Sequence, residues 1–281
     1  LRLLQQLLSL APTHKGAENL RAELKARIAR LKQELERKQK KKIRKVESIE
    51  KQGIRVIIFG PTNSGKSMLL NLLTNAKPKI ASYAFTTTKP EVGMFVYDNI
   101  EFQLVELPAL VFDYEHDRQW LSYAYSAEIL LIMTTNEQEL TKTLHYVLSF
   151  CIERSINTGI IGLINSKAEK AITTTVNVNG YNINVIECDI SKHSQAVKHF
   201  IRDNINVFRI YLKPPTKKQP EEKPLVFTFQ PTLLDVLEEI HKKPEQVKQA
   251  KVLGSSVKFP WQIVKLEHKL NDNDVVEFHF K

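Results

Sequence analysis

The apolar residues of this chain follow two different patterns. Between residues 15 and 46, Leu20, Leu24, Ile28, Leu31 and Leu35 recur at spacings of three and four on an otherwise charged segment. One narrow stripe of this period predicts a long helix from Lys15 to Val46, about 45–50 Å in length at ~1.5 Å per residue. Leu1–Leu10 predicts a short helix that can fold back on it, with the break at Ala11-Pro12-Thr13. Beyond Leu35 the stripe gives way to Lys38-Gln39-Lys40-Lys41-Lys42, leaving the end of the helix to solvent or a partner. From Val56 onward the apolar residues come in short runs. Val56–Phe59 predicts a buried strand and Met68–Leu73 a helix; Gly93–Tyr97 and Ile100–Val105 predict two strands about a turn at Asp98-Asn99. Strands over Thr158–Ile164 and Asn184–Ile186 and a helix over His193–Asn206 follow. Strands alternating with helices imply an α/β domain. Residues 213–224 hold four prolines among mixed charges and read as an extended tether. After it come a strand at Leu225–Phe229, a helix over Leu233–Ile240 capped by Thr232, and short strands to Phe280. That order suits a ubiquitin-like β-grasp unit.

Charge divides the chain at the same place as the apolar pattern. Residues 1–55 carry 16 Lys+Arg against 6 Asp+Glu, whereas residues 56–281 carry 25 of each, so the net +10 lies wholly in the arm. A segregated basic segment gains affinity for RNA by displacing counterions from phosphates; a solvated helix face rich in lysine is the alternative. The two cysteines, Cys151 and Cys188, have no zinc-type spacing, and no apolar run approaches a membrane span. Leu1–Leu10 lacks the basic start and cleavage-type tail of a leader. These features lead us to expect a cytoplasmic protein with no membrane partner.

The chemistry is concentrated in Gly60-Pro61-Thr62-Asn63-Ser64-Gly65-Lys66-Ser67, between the first strand and the helix that follows. The spacing G-x-x-x-x-G-K-S in that context is a phosphate-binding P-loop. Its glycines allow the turn and a close backbone approach, and the helix presents its positive end to an anion. Candidate nucleotide-binding residues are therefore Gly60, Thr62, Asn63, Ser64, Gly65, Lys66, Ser67 and Met68, with Lys66 on the β- and γ-phosphates and Ser67 on Mg²⁺. A Gly-containing turn that binds nothing is the alternative.

Tyr83-Ala84-Phe85-Thr86-Thr87-Thr88 and Val105-Glu106-Leu107-Pro108-Ala109 follow the P-loop in an order that resembles the Obg family of GTPases. Residues 13–21, Phe208–Pro214, Val252–Pro260 and Asp272–Val276 are similar to the branch called developmentally regulated GTP-binding proteins, with its C-terminal TGS domain. The resemblance implies an α/β P-loop GTPase-like domain over residues 53–212, a helical hairpin arm over 1–52, a Pro-rich linker over 213–224 and a β-grasp TGS domain over 225–281. It implies GTP or GDP and Mg²⁺ as cofactors, with Ser67, Thr87 and Glu106 around the metal and Ala109, Asn165 and Lys167 beside the nucleotide. The subdomain that the family inserts after the second switch is expected to be missing, because only residues 137–157 separate two predicted strands. The resemblance also implies RNA, the ribosome or a regulatory protein as partner.

Departures from the family pattern bear on mechanism. Glu106 stands for an aspartate, Ala109 for a glycine, and Leu110 lies where many GTPases keep a water-orienting glutamine, so hydrolysis is expected to be slow or lost. The base-reading N-K-x-D is Asn165-Ser166-Lys167-Ala168, with no carboxylate to accept guanine's N–H groups; Glu169 is one residue on. The last base-side loop aligns with Glu187-Cys188. Asn63 is either a K⁺ ligand, as in relatives, or a turn residue. Trp261 and Phe259 are either an exposed recognition pair or part of the core. Two functions are left open: a GTP-binding switch, and a degenerate GTPase serving as a scaffold.

Overall fold

A computed structural model describes residues 49–74 and 89–281 of the chain. The expected helical arm and the threonine-rich stretch Tyr83–Thr88, including Thr87, lie outside the described residues. Ile54–Phe59 forms β1, buried along its whole length, as expected of a central parallel strand. A seven-stranded sheet is built around it from β2 (Glu91–Tyr97), β3 (Ile100–Glu106), β4 (Ile129–Thr134), β5 (Gly159–Asn165), β6 (Ile172–Val178) and β7 (Tyr181–Cys188), in the order β2-β3-β1-β4-β5-β7-β6. The five inner strands run parallel, and β2 and β6 are antiparallel edges.

The helices cover both faces of this sheet. Lys66–Leu73 (α1) turns Leu69, Leu70 and Leu73 inward, where they meet Val197, Phe200 and Ile201 of a helix over Ser194–Asp203 and one row of strand residues including Val56, Ile58 and Leu104. Tyr114–Leu121 (α2) follows β3, and Glu137–Glu153 (α3) packs on β4 and β5 over the other face, with Leu140 closing against Gly162. Asp113 and Asn136 cap α2 and α3, each accepting a hydrogen bond from a first-turn N–H. The Ser194–Asp203 helix is α4. One helix alone, α3, lies between β4 and β5, so no inserted subdomain interrupts the sheet there.

Strand β6 is not anticipated by the apolar pattern, because its residues are mostly exposed and threonine-rich. Its signal is the dipeptide Asn179-Gly180, both at positive φ (54° and 84°), joining β6 to β7 as a two-residue hairpin turn. The turn expected at Asp98-Asn99 has the same form, with φ of 54° and 59°.

The boundary expected after residue 212 is displaced. Phe208–Leu212 (β8) does not join the first sheet; it pairs antiparallel with Leu225–Phe227 (β9) and parallel with Val275–Phe280 (β12). Residues 213–224 are therefore an excursion between two paired strands, not a tether between domains. Val247–Leu253 (β10) and Gln262–Val264 (β11) complete a second sheet in the order β11-β10-β12-β8-β9. Leu233–Glu239 (α5) packs Leu233, Val236 and Leu237 onto its Ala250, Val252, Val276 and Phe278 face. Thr232 caps α5 through a reciprocal box with Asp235, as its position in the sequence predicts.

The two sheets meet within the unit Lys51–Lys281 through a polar cluster. Arg209 on β8 is nearly buried between Asp98 of the β2–β3 turn (2.6 Å) and Asp272 (2.6 Å), and Arg202 of α4 reaches the same Asp98 at 3.2 Å. The hydrogen bonds it donates to Asp272 hold the Arg209 guanidinium charged beyond its ordinary range.

Candidate nucleotide site

The loop Gly60–Ser67 leaves the carboxyl end of β1, between β3 and β4, where open α/β sheets bind ligands. Gly60 is required by space and Gly65 by its left-handed backbone. A Cβ on Gly60 would lie 2.1 Å from the Met133 carbonyl oxygen, and Gly65, at φ 97°, would bring one 2.7 Å from Asn165 Nδ2. Asn63 takes a left-handed φ of 61°, which asparagine tolerates, and is exposed together with Thr62. Ser64 is buried and donates to the Pro61 carbonyl at 3.0 Å. Met68 exposes its side chain in the first turn of α1.

Lys66 and Ser67 open α1 at the end of the loop. Lys66 is buried and its Nζ donates to the carbonyls of Gly60 (3.2 Å) and Pro61 (2.8 Å), across the loop. Burial pulls its ammonium below the ordinary lysine range, and the Glu106 carboxylate opposes that pull. Ser67 Oγ donates to Glu106 Oε1 at 2.6 Å. A hydroxyl and a carboxylate brought together from two elements are oxygen donors of the kind a hard divalent cation takes. A loop that opens a helix, with a buried cation across it, fits a phosphate. These residues therefore fit a Mg²⁺–nucleotide.

The segment after β3 leans on this loop. Leu107 N donates to Ile58 O (3.4 Å) and Leu110 N to Gly60 O (3.1 Å), with the half-buried Ala109 between them. It is anchored by Asp117 of α2, a residue the sequence pattern does not single out. The fully buried carboxylate of Asp117 accepts from Val111 N at 3.2 Å, Phe112 N at 2.9 Å and Tyr146 Oη of α3 at 3.1 Å, with His116 Nδ1 at 3.3 Å. Phe112 is held at φ 59° and stacks edge-on against Tyr146, with Lys142 Nζ 4.4 Å from its ring centre. Burial raises the Tyr146 hydroxyl well above the ordinary tyrosine range, and Asp117 adds to the shift.

On the base side, Asn165 ends β5 and reaches the P-loop, its Nδ2 lying 3.5 Å from Ser64 O. Ser166 N donates to Cys188 O (3.1 Å), while Ser166 Oγ accepts from Ala168 N (3.3 Å), making a tight turn that leaves Lys167 and Glu169 exposed. Ala168 brings a methyl group where the family pattern has a carboxylate. The expected base-side pair, Glu187-Cys188, is displaced. Cys188 is fully buried in the core, where burial raises its thiol to about 11. The loop begins two residues later, at Asp189-Ile190, and its Ile190 approaches Gly65, with Cδ1 3.6 Å from where a Cβ there would stand, behind Asn165 Nδ2 (2.7 Å) and Met133 Cε (3.0 Å). Asp189 accepts from both the N–H (3.0 Å) and the hydroxyl (2.5 Å) of Ser191. These hydrogen bonds lower its carboxyl below the ordinary range.

Comparison with known proteins matches residues 55–167 to the family described as 50S ribosome-binding GTPase. An uncharacterized GTP-binding protein of Methanocaldococcus jannaschii is 24% identical over the whole of this chain and 92% of its own length. GTP-binding protein 1 of Schizosaccharomyces pombe is 24% identical over 79% of this chain and 81% of its own. The GTPase Obg of Pelagibacter ubique is 52% identical over a 54-residue stretch, 19% of this chain and 16% of its own. Among solved structures, the cytosolic domain of the Thermotoga maritima FeoB iron transporter in its GMPPNP form aligns at a TM-score of 0.31 and 21% identity, over 40% of this chain and 44% of that one.

Proposed function

We infer that this chain, an Obg-family GTP-binding protein, takes up the Mg²⁺ complex of GTP or GDP at Gly60–Ser67 and hydrolyses GTP slowly. The observation that carries this reading is the Ser67–Glu106 contact of 2.6 Å beside a P-loop whose glycines admit no side chain. In it, backbone N–H groups of the loop receive the phosphates, Lys66 exchanges its two carbonyl contacts for phosphate oxygens, and Asn165 keeps the loop in register with β5. Ser67 and Glu106, joined by Thr87, would hold Mg²⁺, which supplies charge neutralisation at the phosphates when bound. Water attacks the γ-phosphate directly, with no protein nucleophile. Leu110 has no group to orient that water, which keeps turnover slow. Fluorescent GDP titrated with and without Mg²⁺ tests the assignment. Ser67→Ala should remove most of the Mg²⁺ dependence and Lys66→Ala most of the binding; two unchanged titrations would refute it.

The second sheet has the strand order and senses of a ubiquitin-like β-grasp, which supports reading residues from Phe208 onward as the TGS module of the developmentally regulated branch. Together with the basic residues 1–55, this module would contact RNA or the ribosome in the cytoplasm, and nucleotide state would alter the surface presented to it or to a regulatory protein. The arm is testable alone. Deleting residues 1–48, which spares Ile54 and Arg55 of β1, should flatten the salt dependence of RNA binding; an unchanged slope would remove the arm from the function.

Ala168 supports a second reading, a scaffold with little base preference. Restoring the motif with Ser166→Lys, Lys167→Ile and Ala168→Asp should then sharpen GTP over ATP, and no change would count against that alignment. A hydrogen bond to a charged group contributes about 1.5–3 kcal/mol, so the gain should be at least tenfold.

A further inference from the structure

The second sheet has two unlike faces. One carries Ala250, Val252, Val276 and Phe278 beneath α5. The other carries the alternate residues Lys251 of β10, Ile263 of β11 and Glu277 of β12, which are paired in register. At its β8 side this face is engaged with the first sheet, through Arg209 on Asp98 and Tyr211 on Asn99. Its β10–β11 side is open: Ile263 is 61% exposed, and Phe259 in the loop leading to β11 is 68% exposed. Trp261 follows at a left-handed φ of 58°, unusual for a bulky residue, with the Lys213 ammonium 5.1 Å from its ring centre.

Charge singles out what this surface fits. Residues 247–266 hold four lysines, Lys248, Lys251, Lys258 and Lys265, and no acidic residue. Glu277, the acid in register with Lys251, is already bonded to Lys213 and His279. Surfaces that bind folded proteins are depleted in lysine, whereas lysines interleaved with exposed aromatics suit a phosphate backbone whose unpaired bases can stack.

We propose that the β10–β11 side of this face, with Phe259 and Trp261 as stacking residues and Lys251, Lys258 and Lys265 as backbone contacts, is a binding site for single-stranded RNA. The site rests on the reading that the protein acts on RNA, and it adds where unpaired bases are held. Lys213, held by Glu277, lies over the Trp261 ring and orients the indole. Duplex RNA, whose bases are already stacked, should be held more weakly.

The test uses the full chain and a fluorescein-labelled twelve-nucleotide oligouridylate, with a duplex of equal length and heparin as comparison probes. Tryptophan emission is read in parallel; Trp120, the second tryptophan, is largely buried on α2, so a change reports Trp261. Oligouridylate should quench that emission, Phe259→Ala should weaken binding about tenfold with an unchanged melting temperature, and Phe259→Tyr should restore it. Lys251→Gln with Lys265→Gln should lower the salt slope by about 1.4. Binding that leaves tryptophan emission and the Phe259→Ala affinity unchanged would overturn this site while leaving RNA binding by the arm intact. Equal affinity for oligouridylate, duplex and heparin would overturn it in favour of a general polyanion surface. No binding of either RNA would overturn the site and the RNA reading together.

Discussion

Removing the Asp117 carboxylate should loosen the chain next to the nucleotide site by an amount that can be worked from its contacts. Asp117→Ala strands two backbone donors, Val111 N and Phe112 N, and the Tyr146 hydroxyl, all bonded at 2.9–3.2 Å to a side chain of zero exposure. A buried donor left unsatisfied costs about 1–3 kcal/mol, so three cost about 3–6 kcal/mol with partial relaxation. Against this, Phe112 is released from φ 59°, recovering about 1–2 kcal/mol. The net loss should be about 1–5 kcal/mol. Tyr146→Phe removes one partner and should cost about 1–2 kcal/mol, less than additively with Asp117→Ala, because both act on one cluster. Urea unfolding followed by tryptophan emission gives the energies, and amide exchange at Val111 and Phe112 gives the location. A loss under about 0.5 kcal/mol with unchanged exchange at both amides would show that the carboxylate does not hold this segment.

Other expectations concern the P-loop, the contact between sheets and the position of β8. Gly65→Ala should abolish nucleotide binding, since its Cβ would meet Asn165 Nδ2 at 2.7 Å from a φ of 97°; calorimetry showing wild-type affinity would contradict this. Asp272 is partly desolvated, which raises its carboxyl, but hydrogen bonds from Arg209 outweigh this and lower it below the ordinary range. A depressed carboxylate stabilises the fold above its unfolded pKa, about 3.9, and that contribution is lost as pH falls through the lower folded value. Asp272→Asn should therefore flatten the acid limb of stability below about pH 4, and an unchanged limb by thermal melts from pH 2 to 6 would be contrary. A fragment over residues 206–281 should fold on its own, whereas one over 225–281 should not, because β8 lies between β12 and β9 and supplies Ile210 to their core. Circular dichroism on both fragments decides it.

The first sheet is legible because its strands are either continuous apolar runs, as in Ile54–Phe59, or hairpins about left-handed turns such as Asp98-Asn99. The P-loop is legible because its glycines are demanded by local space and backbone conformation. What escapes the sequence is long-range. Asp117 sits in a charged stretch, Tyr114-Glu115-His116-Asp117-Arg118, that reads as a solvated helix face, and only the return of Phe112 and the approach of Tyr146 bury it. Phe208–Leu212 has the apolar content of a strand for either sheet; its allegiance is set by pairing with residues more than 60 positions later. The proline-rich stretch 213–224 looks like a domain boundary because an excursion and a tether have the same composition. Strand β6 has only a thin apolar face of Ile172, Val176 and Val178, yet its Asn179-Gly180 turn is a strong hairpin signal that outweighs that weakness.

Whether Gly60–Ser67 with Glu106 binds guanine nucleotides is decided by titration calorimetry of GDP and of non-hydrolysable GTP and ATP analogues. Run in Mg²⁺ with either potassium or sodium, the titrations should show both guanine nucleotides binding more tightly than the ATP analogue, and Lys66→Ala should abolish the heat. A stronger GTP-analogue signal in potassium alone would assign Asn63 to the cation. Equal affinity for all three nucleotides, or no heat with any, would contradict the account and leave a scaffold in its place.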